Sequence, residues 1–218
     1  FSAANYTIDY RSGTLTVDPA TLTITANSAS KTYGQALSYG AGSTAFTSTA
    51  LQNSETIASV TLGSTGSAAT ADVGSYNIVA SSPTGSGFSA ANYSITYVDG
   101  TLTVNKKDLT ITGLTADNHI YDGGTQIDLN VSGASLVGIV NPDTVTLDSS
   151  SPSATAASED VASGIALSNI TGLSLGGADS GNYTLTLPTN VTVQIVQATL
   201  TITGLTADNH IYDGGTQI

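Results

Sequence analysis

The sequence predicts a mainly β protein, built as a tandem array of small two-layer β domains. First, the 218-residue chain is rich in threonine, serine and glycine, and it has no cysteine, methionine or tryptophan. Such a composition suits pleated strands joined by tight turns. Second, many short segments alternate apolar and polar residues, which is the period of a half-buried strand. Third, residues 109–127 recur letter for letter as residues 200–218.

A second repeat shows how large each domain is. Residues 1–17 return as residues 88–104 with 13 of 17 letters kept. The two repeats are offset by 91 and 87 residues, whereas the period of a solenoid coil is about 20 to 50 residues. The array therefore consists of domains that each have a core of their own.

Three similar junctions predict the domain boundaries. At each junction a strand-like ending is followed by an alternating opening such as TLTI or DLTI. These junctions divide the chain into the end of one module (1–17), two complete modules (18–104 and 105–196) and the start of another (197–218). Almost no linker separates the modules, and Pro19 stiffens the first joint. Short, stiff joints predict an elongated rod.

The elements within each module follow from the same alternation. In the first strand Leu22 and Ile24 face the core, while the threonines between them face water. Residues 99–100 (Asp-Gly) are a hairpin signal because this pair accepts positive φ at low cost, and residues 188–190 form a similar bend. Residues 134–140 are too few for periodicity to decide between a helical turn and a short strand. Besides the openings, strands are predicted at residues 56–62, 76–81, 92–98, 100–104, 127–132, 144–148, 183–187 and 190–196.

Each module has its own predicted core, made of the apolar residues on the inward face of these strands. We favour a β-sandwich or a β-grasp-like arrangement, with or without one short helix. The first core comprises Leu22, Ile24, Ile57, Val60, Leu62, Ile78, Ile95, Leu102 and Val104. The second core comprises Ile111, Leu129, Val131, Val145, Leu147, Leu185, Leu187, Val193 and Ile195.

The two complete modules are predicted to be distant copies of one another. Tyr33 and Tyr121 follow their opening strands at nearly the same distance. Two further pairs of segments correspond in residue class and in order: 51–57 with 139–145, and 92–95 with 182–185.

The strong negative charge excludes two classes of function. Sixteen acidic residues are set against four basic ones, for a net charge of −12. Binding to nucleic acid and attachment to anionic lipid both require a basic face, which Arg11, Lys31, Lys106 and Lys107 are too few to supply. No stretch approaches the roughly 18 apolar residues of a membrane span. We therefore predict neither nucleic-acid partners nor membrane insertion.

One short motif recurs at the same place in the repeats. It reads Tyr33-Gly34 in the first module, Tyr121-Asp122-Gly123-Gly124 in the second, and Tyr212-Asp213-Gly214-Gly215 in the last segment. We interpret the motif as a structural turn, in which glycine supplies the backbone angles, Asp122 bonds the local amides and the tyrosine is a lid on the core. The alternative is a glycan contact, in which Tyr121 stacks on a sugar and Asp122 hydrogen-bonds to it.

No catalytic residue is predicted. His119 and His210 are the only histidines and occupy one position of the repeat. A serine triad has no nucleophile motif here. Glu55 and Glu159 are the only glutamates, and they belong to different modules, so a paired glutamate site is not formed. We therefore predict that the chain is not an enzyme and binds no cofactor.

Ion binding and covalent cross-linking have few candidates. If calcium binds at a joint, the candidate ligands are Asp18 and Asp108 at the junctions and Asp179 in a glycine-rich loop. A lysine–asparagine amide bond of the kind that staples some surface domains would need Lys31 or the Lys106-Lys107 pair as its amine. The sequence otherwise predicts no metal site, because no set of ligands converges in one module.

The paired tyrosine segments resemble known bacterial repeats. Residues 109–124 (LTITGLTADNHIYDGG) resemble the opening of the YDG domain, and residues 22–34 (LTITANSASKTYG) resemble that of the MBG domain of the Tyr-Gly type. The closing segments, 92–104 and 182–196, fit the same pattern. The resemblance describes the four segments as the end of an MBG repeat, an MBG repeat, a YDG repeat and the start of a second YDG repeat. It implies the setting of a large, two-partner-secreted adhesin of the filamentous-haemagglutinin type.

We therefore expect a structural role. The chain would form stalk or spacer repeats of a secreted or cell-surface bacterial adhesin and would be extracellular. Its partners would be the neighbouring repeats, and its role would be to support cell adhesion and biofilm formation. Two alternatives stay open: weak multivalent binding of exopolysaccharide, and self-association of adhesin copies into filaments through exposed strand edges. Burial of four tyrosines would favour the stalk, and two or more of them in one exposed groove would favour glycan binding: Tyr33, Tyr76, Tyr121 and Tyr183.

Overall fold

The computed structural model describes residues 2–212 and residue 214 of the chain. Within these residues it has sixteen β-strands, four short 3-10 turns and no α-helix. This confirms the predicted mainly β class, without the optional short helix. The chain divides into two compact units, residues 1–107 and 108–218. The 3-10 turns are Ala3–Asn5, Thr65–Ser67, Ala90–Asn92 and Ser180–Asn182.

The first unit has two sheets. Its strands are β1 (Ala20–Ala26), β2 (Ala29–Thr32), β3 (Phe46–Ser48), β4 (Ser59–Gly63), β5 (Gly74–Thr84), β6 (Tyr93–Val98) and β7 (Gly100–Asn105). A three-stranded sheet has the order β3-β1-β6, and a four-stranded sheet has the order β2-β7-β5-β4. β1 is antiparallel to β3 and parallel to β6. β7 is parallel to β2 and antiparallel to β5.

The second unit also has two sheets. Its strands are β8 (Lys107–Thr112), β9 (Thr115–Ala116), β10 (His119–Ile120), β11 (Gln126–Asn130), β12 (Ser135–Val137), β13 (Thr146–Ala156), β14 (Ala162–Gly176), β15 (Tyr183–Thr186) and β16 (Thr192–Val196). A three-stranded sheet has the order β12-β8-β15, and a six-stranded sheet has the order β10-β16-β14-β13-β11-β9.

The two units share one topology. β8 lies between β12 and β15 as β1 lies between β3 and β6. β10 is parallel to β16 as β2 is parallel to β7. The antiparallel series β16-β14-β13 then matches the series β7-β5-β4. The second unit adds β11 and β9 beyond β13. The two modules are therefore copies of one fold, as their corresponding segments indicate.

Side chains from both sheets meet in the core of the first unit. Leu22 and Ile24 of β1 are buried together with Ile78 of β5 and Leu102 of β7. All nine residues predicted for this core are buried or half-buried. The prediction omitted Tyr93, which is also buried there, because its hydroxyl did not identify it as a core residue.

The core of the second unit was predicted less completely. Four of the predicted residues are buried, namely Ile111, Leu129, Val193 and Ile195. Val131, Leu147, Leu185 and Leu187 are half-buried against this cluster, and Val145 is half-buried outside it. The prediction omitted Ile165 and Leu167 of β14, because no strand was predicted between residues 148 and 183.

β14 was missed because its backbone interrupts the alternation on which strand prediction depends. Within its fifteen residues, Gly164, Asn169 and Gly172 have φ values of 71°, 51° and 74°. Such left-handed residues break the period of two between the inward-facing side chains. The open question about residues 134–140 is answered by the strand β12.

The Asp-Gly pair at residues 99–100 does not form the predicted hairpin. β6 and β7 lie in different sheets and do not pair with each other. Glycine is needed here for space: a Cβ on Gly100 would lie 2.7 Å from the carbonyl oxygens of Ala26 and Asn27. The chain thus steps from one sheet to the other at a point of close backbone approach. The bend at residues 188–190 likewise connects strands of different sheets, β15 and β16.

The first block and the described part of the second block have different structures, although their sequences are identical. In the first block, Leu109 and Ile111 are 0% and 6% exposed in β8. In the second, Leu200 and Ile202 are 92% and 82% exposed, and residues 197–212 form no strand. The described residues offer the second block no partner strand. Whether this sequence forms a strand therefore depends on the presence of partner strands and not on its residues alone.

Candidate functional site

The first residue of β6 attaches a loop to the core of the first module. Tyr93 is 7% exposed. Its hydroxyl donates to the Glu55 carboxylate at 2.8 Å and accepts from the N–H of Gln52 at 2.9 Å. Glu55 and Gln52 belong to the loop between β3 and β4. Burial raises the pKa of Tyr93 above its ordinary value, and the Glu55 carboxylate raises it further.

The first residue of β15 does the same in the second module. Tyr183 is 2% exposed. Its hydroxyl donates to the Asp143 carboxylate at 2.6 Å and accepts from the N–H of Val140 at 2.9 Å. Burial, followed by the hydrogen bond to Asp143, raises the pKa of Tyr183 to about 12. Asp143 and Val140 lie in the loop between β12 and β13.

The two arrangements are one device, which we call the tyrosine latch: Tyr93 with Glu55 and Gln52, and Tyr183 with Asp143 and Val140. In the first module the latch holds the loop after β3 against β6. In the second module it holds the loop after β12 against β15. The sequence contained both halves of the latch among its corresponding segments. It did not show that the halves touch, because they lie about 40 residues apart and their contact exists only in the folded state.

The Tyr33-Gly34 motif forms the turn that follows β2. Tyr33 is 3% exposed, and its N–H donates to the carbonyl oxygen of Asn105 at 2.9 Å. Gly34 has φ 87°, in the left-handed region that favours glycine. Its N–H donates to the carbonyl oxygen of Ala69 at 3.0 Å. The Tyr33 side chain is buried, but it is not part of the first core cluster.

The motif of the second module makes the same tyrosine N–H hydrogen bond but has a different side-chain position. The N–H of Tyr121 donates to the carbonyl oxygen of Val196, as Tyr33 does to Asn105. The Tyr121 side chain is nevertheless 41% exposed, so the lid interpretation is wrong for it. The left-handed glycine follows Tyr33 directly, whereas Gly123, with φ 79°, comes one residue later after Tyr121. The two tyrosines therefore enter their turns differently.

Asp122 organises the turn that follows Tyr121. Its Oδ1 accepts from the N–H of Gly124 at 2.8 Å, and His119 Nε2 lies 3.2 Å from the same oxygen. The Gly124 N–H first, and His119 second, hold the pKa of Asp122 below its ordinary value. The Asp122 side chain is 62% exposed, so this is a surface turn and not a buried charge.

The third copy of the motif is exposed where the structure describes it. Tyr212 is 90% exposed and Gly214 has φ 82°. Asp213 and Gly215 lie outside the described residues. His210 lies in the same exposed segment.

A basic residue occupies one equivalent position in both modules. Lys31 lies opposite Val104 across the β2–β7 pair, and His119 lies opposite Ile195 across the β10–β16 pair. Lys31 is 4% exposed, and burial lowers its pKa. This position faces inward in the first module and is half-buried in the second.

The amine of Lys31 is engaged by backbone carbonyl groups. Its Nζ donates to the carbonyl oxygens of Gln35, at 3.0 Å, and of Ala68. These bonds connect the end of β2 to the segment before β5. Both acceptors are main-chain oxygens, so Lys31 has a structural role as a hydrogen-bond donor. Neither of these bonds joins it to an asparagine side chain, which a lysine–asparagine amide bond would require. Lys106 is exposed and Lys107 is half-buried.

The three aspartates named as calcium candidates lie in different settings. Asp18 lines a cavity of about 500 Å³ together with Glu55 and Asn53. Asp108 is an exposed residue of β8. Asp179 Oδ2 accepts from the N–H of Thr144 at 2.7 Å, which joins two loops of the second module. The described residues hold no group of three or more acidic or histidine side chains that could bind a metal ion.

The glycan candidates Tyr121 and Asp122 both lie at the surface. Tyr121 lines a cavity of about 320 Å³ whose other walls are Val161, Gln197, Ala198 and Leu200. No second tyrosine contributes to this lining. Of the other three tyrosines on which the choice of function depends, two are buried and Tyr76 is half-buried against the first core.

The tyrosine motifs fall within two segments that match known protein families. A model described as MBG domain (YGX type) matches residues 22–103, and one described as YDG domain matches residues 105–192. Neither the curated proteins nor the solved structures include a match. The described part of the chain has no helix that could span a membrane.

Proposed function

Because this chain contains an MBG domain of the YGX type followed by a YDG domain, we propose that it is a spacer segment in the stalk of a secreted or cell-surface bacterial adhesin. The stalk holds a binding region away from the cell and so supports cell adhesion and biofilm formation. Its partners are the neighbouring repeats of the same chain. Both domain types are compatible with repeats of this kind.

One observation supports the proposal most directly: residues that the two modules share make their contacts within their own module. Tyr93 and Tyr183 hold loops through carboxylates of their own module at 2.8 and 2.6 Å. Tyr33 is buried in the first module. Repeated residues of this kind specify the shape of the repeat. A chain that repeats a shape gains length with each copy, which is what a spacer requires.

The surface of the chain also suits an exposed polymer. Its net charge is −12, with four basic residues in all. A charge of one sign keeps neighbouring copies soluble and mutually repelling. This supports a spacer role over the self-association of adhesin copies into filaments.

The spacer function is tested in the bacterium that makes the protein. One strain replaces residues 18–196 in frame with two unrelated β-sandwich domains of similar length, and a second strain deletes these residues. The proposal expects adhesion to be retained in the replacement strain and reduced in the deletion strain. If the replacement strain loses adhesion as the deletion strain does, these modules contribute more than length and the proposal is wrong.

Weak glycan binding is the second candidate, because Tyr121 is the tyrosine of the YDG motif that is exposed beside a cavity. The test titrates the purified chain with exopolysaccharide and measures binding by calorimetry, with the Tyr121→Ala variant beside it. Saturable binding that Tyr121→Ala abolishes would assign the YDG motif to glycan recognition. The spacer proposal expects no saturable binding by either protein, and light scattering of the same samples reports any self-association.

A further inference from the structure

The first and last strands of the first module run side by side in parallel as one continuous seam. The register pairs of β1 and β6 run from Ala20 opposite Tyr93 to Thr25 opposite Val98, and those of β2 and β7 run from Ala29 opposite Leu102 to Thr32 opposite Asn105. The partner numbers differ by 73 at every pair. We call residues 20–32 with residues 93–105 the parallel seam.

The seam keeps its register where it passes from one sheet to the other. At the step, the N–H of Thr101 donates to the hydroxyl of Ser28 at 3.0 Å, and these residues also differ by 73 in number. Gly100 lies against the carbonyl oxygens of Ala26 and Asn27, where no side chain fits. Both chain segments therefore pass from the three-stranded sheet to the four-stranded sheet at the same point, and they stay in register as they do so.

The second module has the corresponding pairing. β10 is parallel to β16, with His119 opposite Ile195 and Ile120 opposite Val196. The N–H of Tyr121 extends this pairing to the carbonyl oxygen of Val196 at 2.9 Å. β8 lies next to β15 in the other sheet of this module. The part of the seam formed by the second and last strands of the shared topology therefore recurs in the second module.

The parallel direction determines how a module is loaded along the chain. The chain enters the first module at Ala20 and leaves its last strand at Asn105. Because the two segments are parallel, these two points lie at opposite ends of the seam. A pull on the chain at both points slides one segment along the other instead of opening the seam from one end.

We propose that the parallel seam is a mechanical clamp that lets each module resist tension along the chain. This inference rests on the proposed spacer function, since a stalk under flow transmits the force between the cell and its target. Sliding loads the six register pairs of β1 with β6 and the four of β2 with β7 together. Peeling from one end loads them one after another. Forced unfolding is governed by the unfolding rate, so the sliding geometry gives the more durable module.

The clamp is tested by pulling the full 218-residue chain from two pairs of attachment points in a force spectrometer. The chain has no cysteine, so introduced cysteines are unique handles. The sliding pair is Thr21→Cys with Thr103→Cys, and the peeling pair is Thr21→Cys with Ser94→Cys. All three positions are exposed. Ser94 lies directly opposite Thr21, whereas Thr103 lies near the far end of the seam.

The proposal expects a several-fold higher unfolding force for the sliding pair than for the peeling pair, at the same pulling rate. Equal forces, or a higher force for the peeling pair, would overturn it. Circular dichroism and thermal unfolding of both double variants verify that they fold alike. The measurement uses purified protein, so it stays valid if the adhesion test fails, and the adhesion test does not depend on the force.

A pair of serine variants supplies an independent readout. Ser28→Ala removes the side-chain bond at the step of the seam, and Ser59→Ala removes a 2.9 Å hydroxyl contact with Thr84 between β4 and β5, outside the seam. Between the sliding handles, the proposal expects a lower unfolding force for Ser28→Ala and little change for Ser59→Ala. Equal reductions in both variants would place the resistance to force elsewhere in the module.

Discussion

The hydroxyl of Tyr183 donates a 2.6 Å hydrogen bond to the carboxylate of Asp143, 40 residues before it in the chain. Tyr93 and Glu55 form the same bond at 2.8 Å in the first module. The acid changes from aspartate to glutamate, and the donor to the tyrosine oxygen changes from Val140 to Gln52. The geometry is retained because the N–H donor belongs to the main chain, and either acid reaches the hydroxyl.

Removing the hydroxyl should destabilise the second module. In the Tyr183→Phe variant the N–H of Val140 loses the tyrosine oxygen as an acceptor and Asp143 loses one hydrogen bond, at a cost of about 1–3 kcal/mol in the free energy of unfolding. Chemical denaturation followed by circular dichroism measures this cost. Tyr121→Phe is the matched control, with an expected change within about 0.5 kcal/mol at an exposed site. Equal effects of the two variants would refute the latch.

The same latch predicts how stability changes in alkaline solution. The folded state holds the Tyr183 proton more tightly, with a pKa of about 12 against an ordinary value of 10.0. The contribution to stability is therefore complete below the unfolded pKa and is lost as the pH rises through the folded one. The difference in free energy of unfolding between the wild type and Tyr183→Phe should shrink between about pH 10 and about pH 12. A difference that stays constant over this window would contradict the assignment.

The step of the parallel seam should not tolerate a side chain. In the Gly100→Ala variant the new Cβ meets the carbonyl oxygens of Ala26 and Asn27 at 2.7 Å, and relief requires a shift of the backbone. We expect a loss of about 1–3 kcal/mol, measured by denaturant unfolding. Gly40→Ala is the control in the same module, since a Cβ there meets nothing within 4 Å. A Gly100→Ala protein as stable as the control would show that the approach is not tight.

The identical blocks provide a comparison of two leucines that are followed by the same sequence. Leu109→Ala removes a side chain that is 0% exposed, and Leu200→Ala removes one that is 92% exposed. The first variant should lose about 2–5 kcal/mol, and the second should change by no more than about 0.5 kcal/mol. Thermal unfolding of both variants and of the wild type measures these losses in stability. Similar losses would mean that the second block is also packed in solution.

Much of the fold could be predicted because its signals are local. The alternation around Leu22 and Ile24 correctly identified a strand with one buried face. The corresponding segments of the two modules indicated that they share a fold. The turn at Tyr33-Gly34 was identified from its glycine, which has the positive φ that the residue type suggests.

The errors arose where the decisive contact is distant in sequence. The Asp-Gly pair at residues 99–100 is a valid hairpin signal, yet the strands on either side join different sheets. Tyr121 is exposed where Tyr33 is buried, and the left-handed glycine lies one residue farther from it in the turn. β14 carries left-handed residues that hide its alternation, and it is stabilised by pairing with β13 and β16.

The sequence by itself determined which segments can become strands, which side of each strand is apolar, and that the chain repeats one shape. Only the tertiary structure decided which strands pair, in which direction and in which sheet. The reason is physical. A strand completes its backbone hydrogen bonds with other segments, so the sequence of the strand alone does not specify which segment it pairs with. Leu109 and Leu200 are followed by the same residues in sequence, and within the described part of the chain only Leu109 of the two lies in a strand with partner strands on both sides.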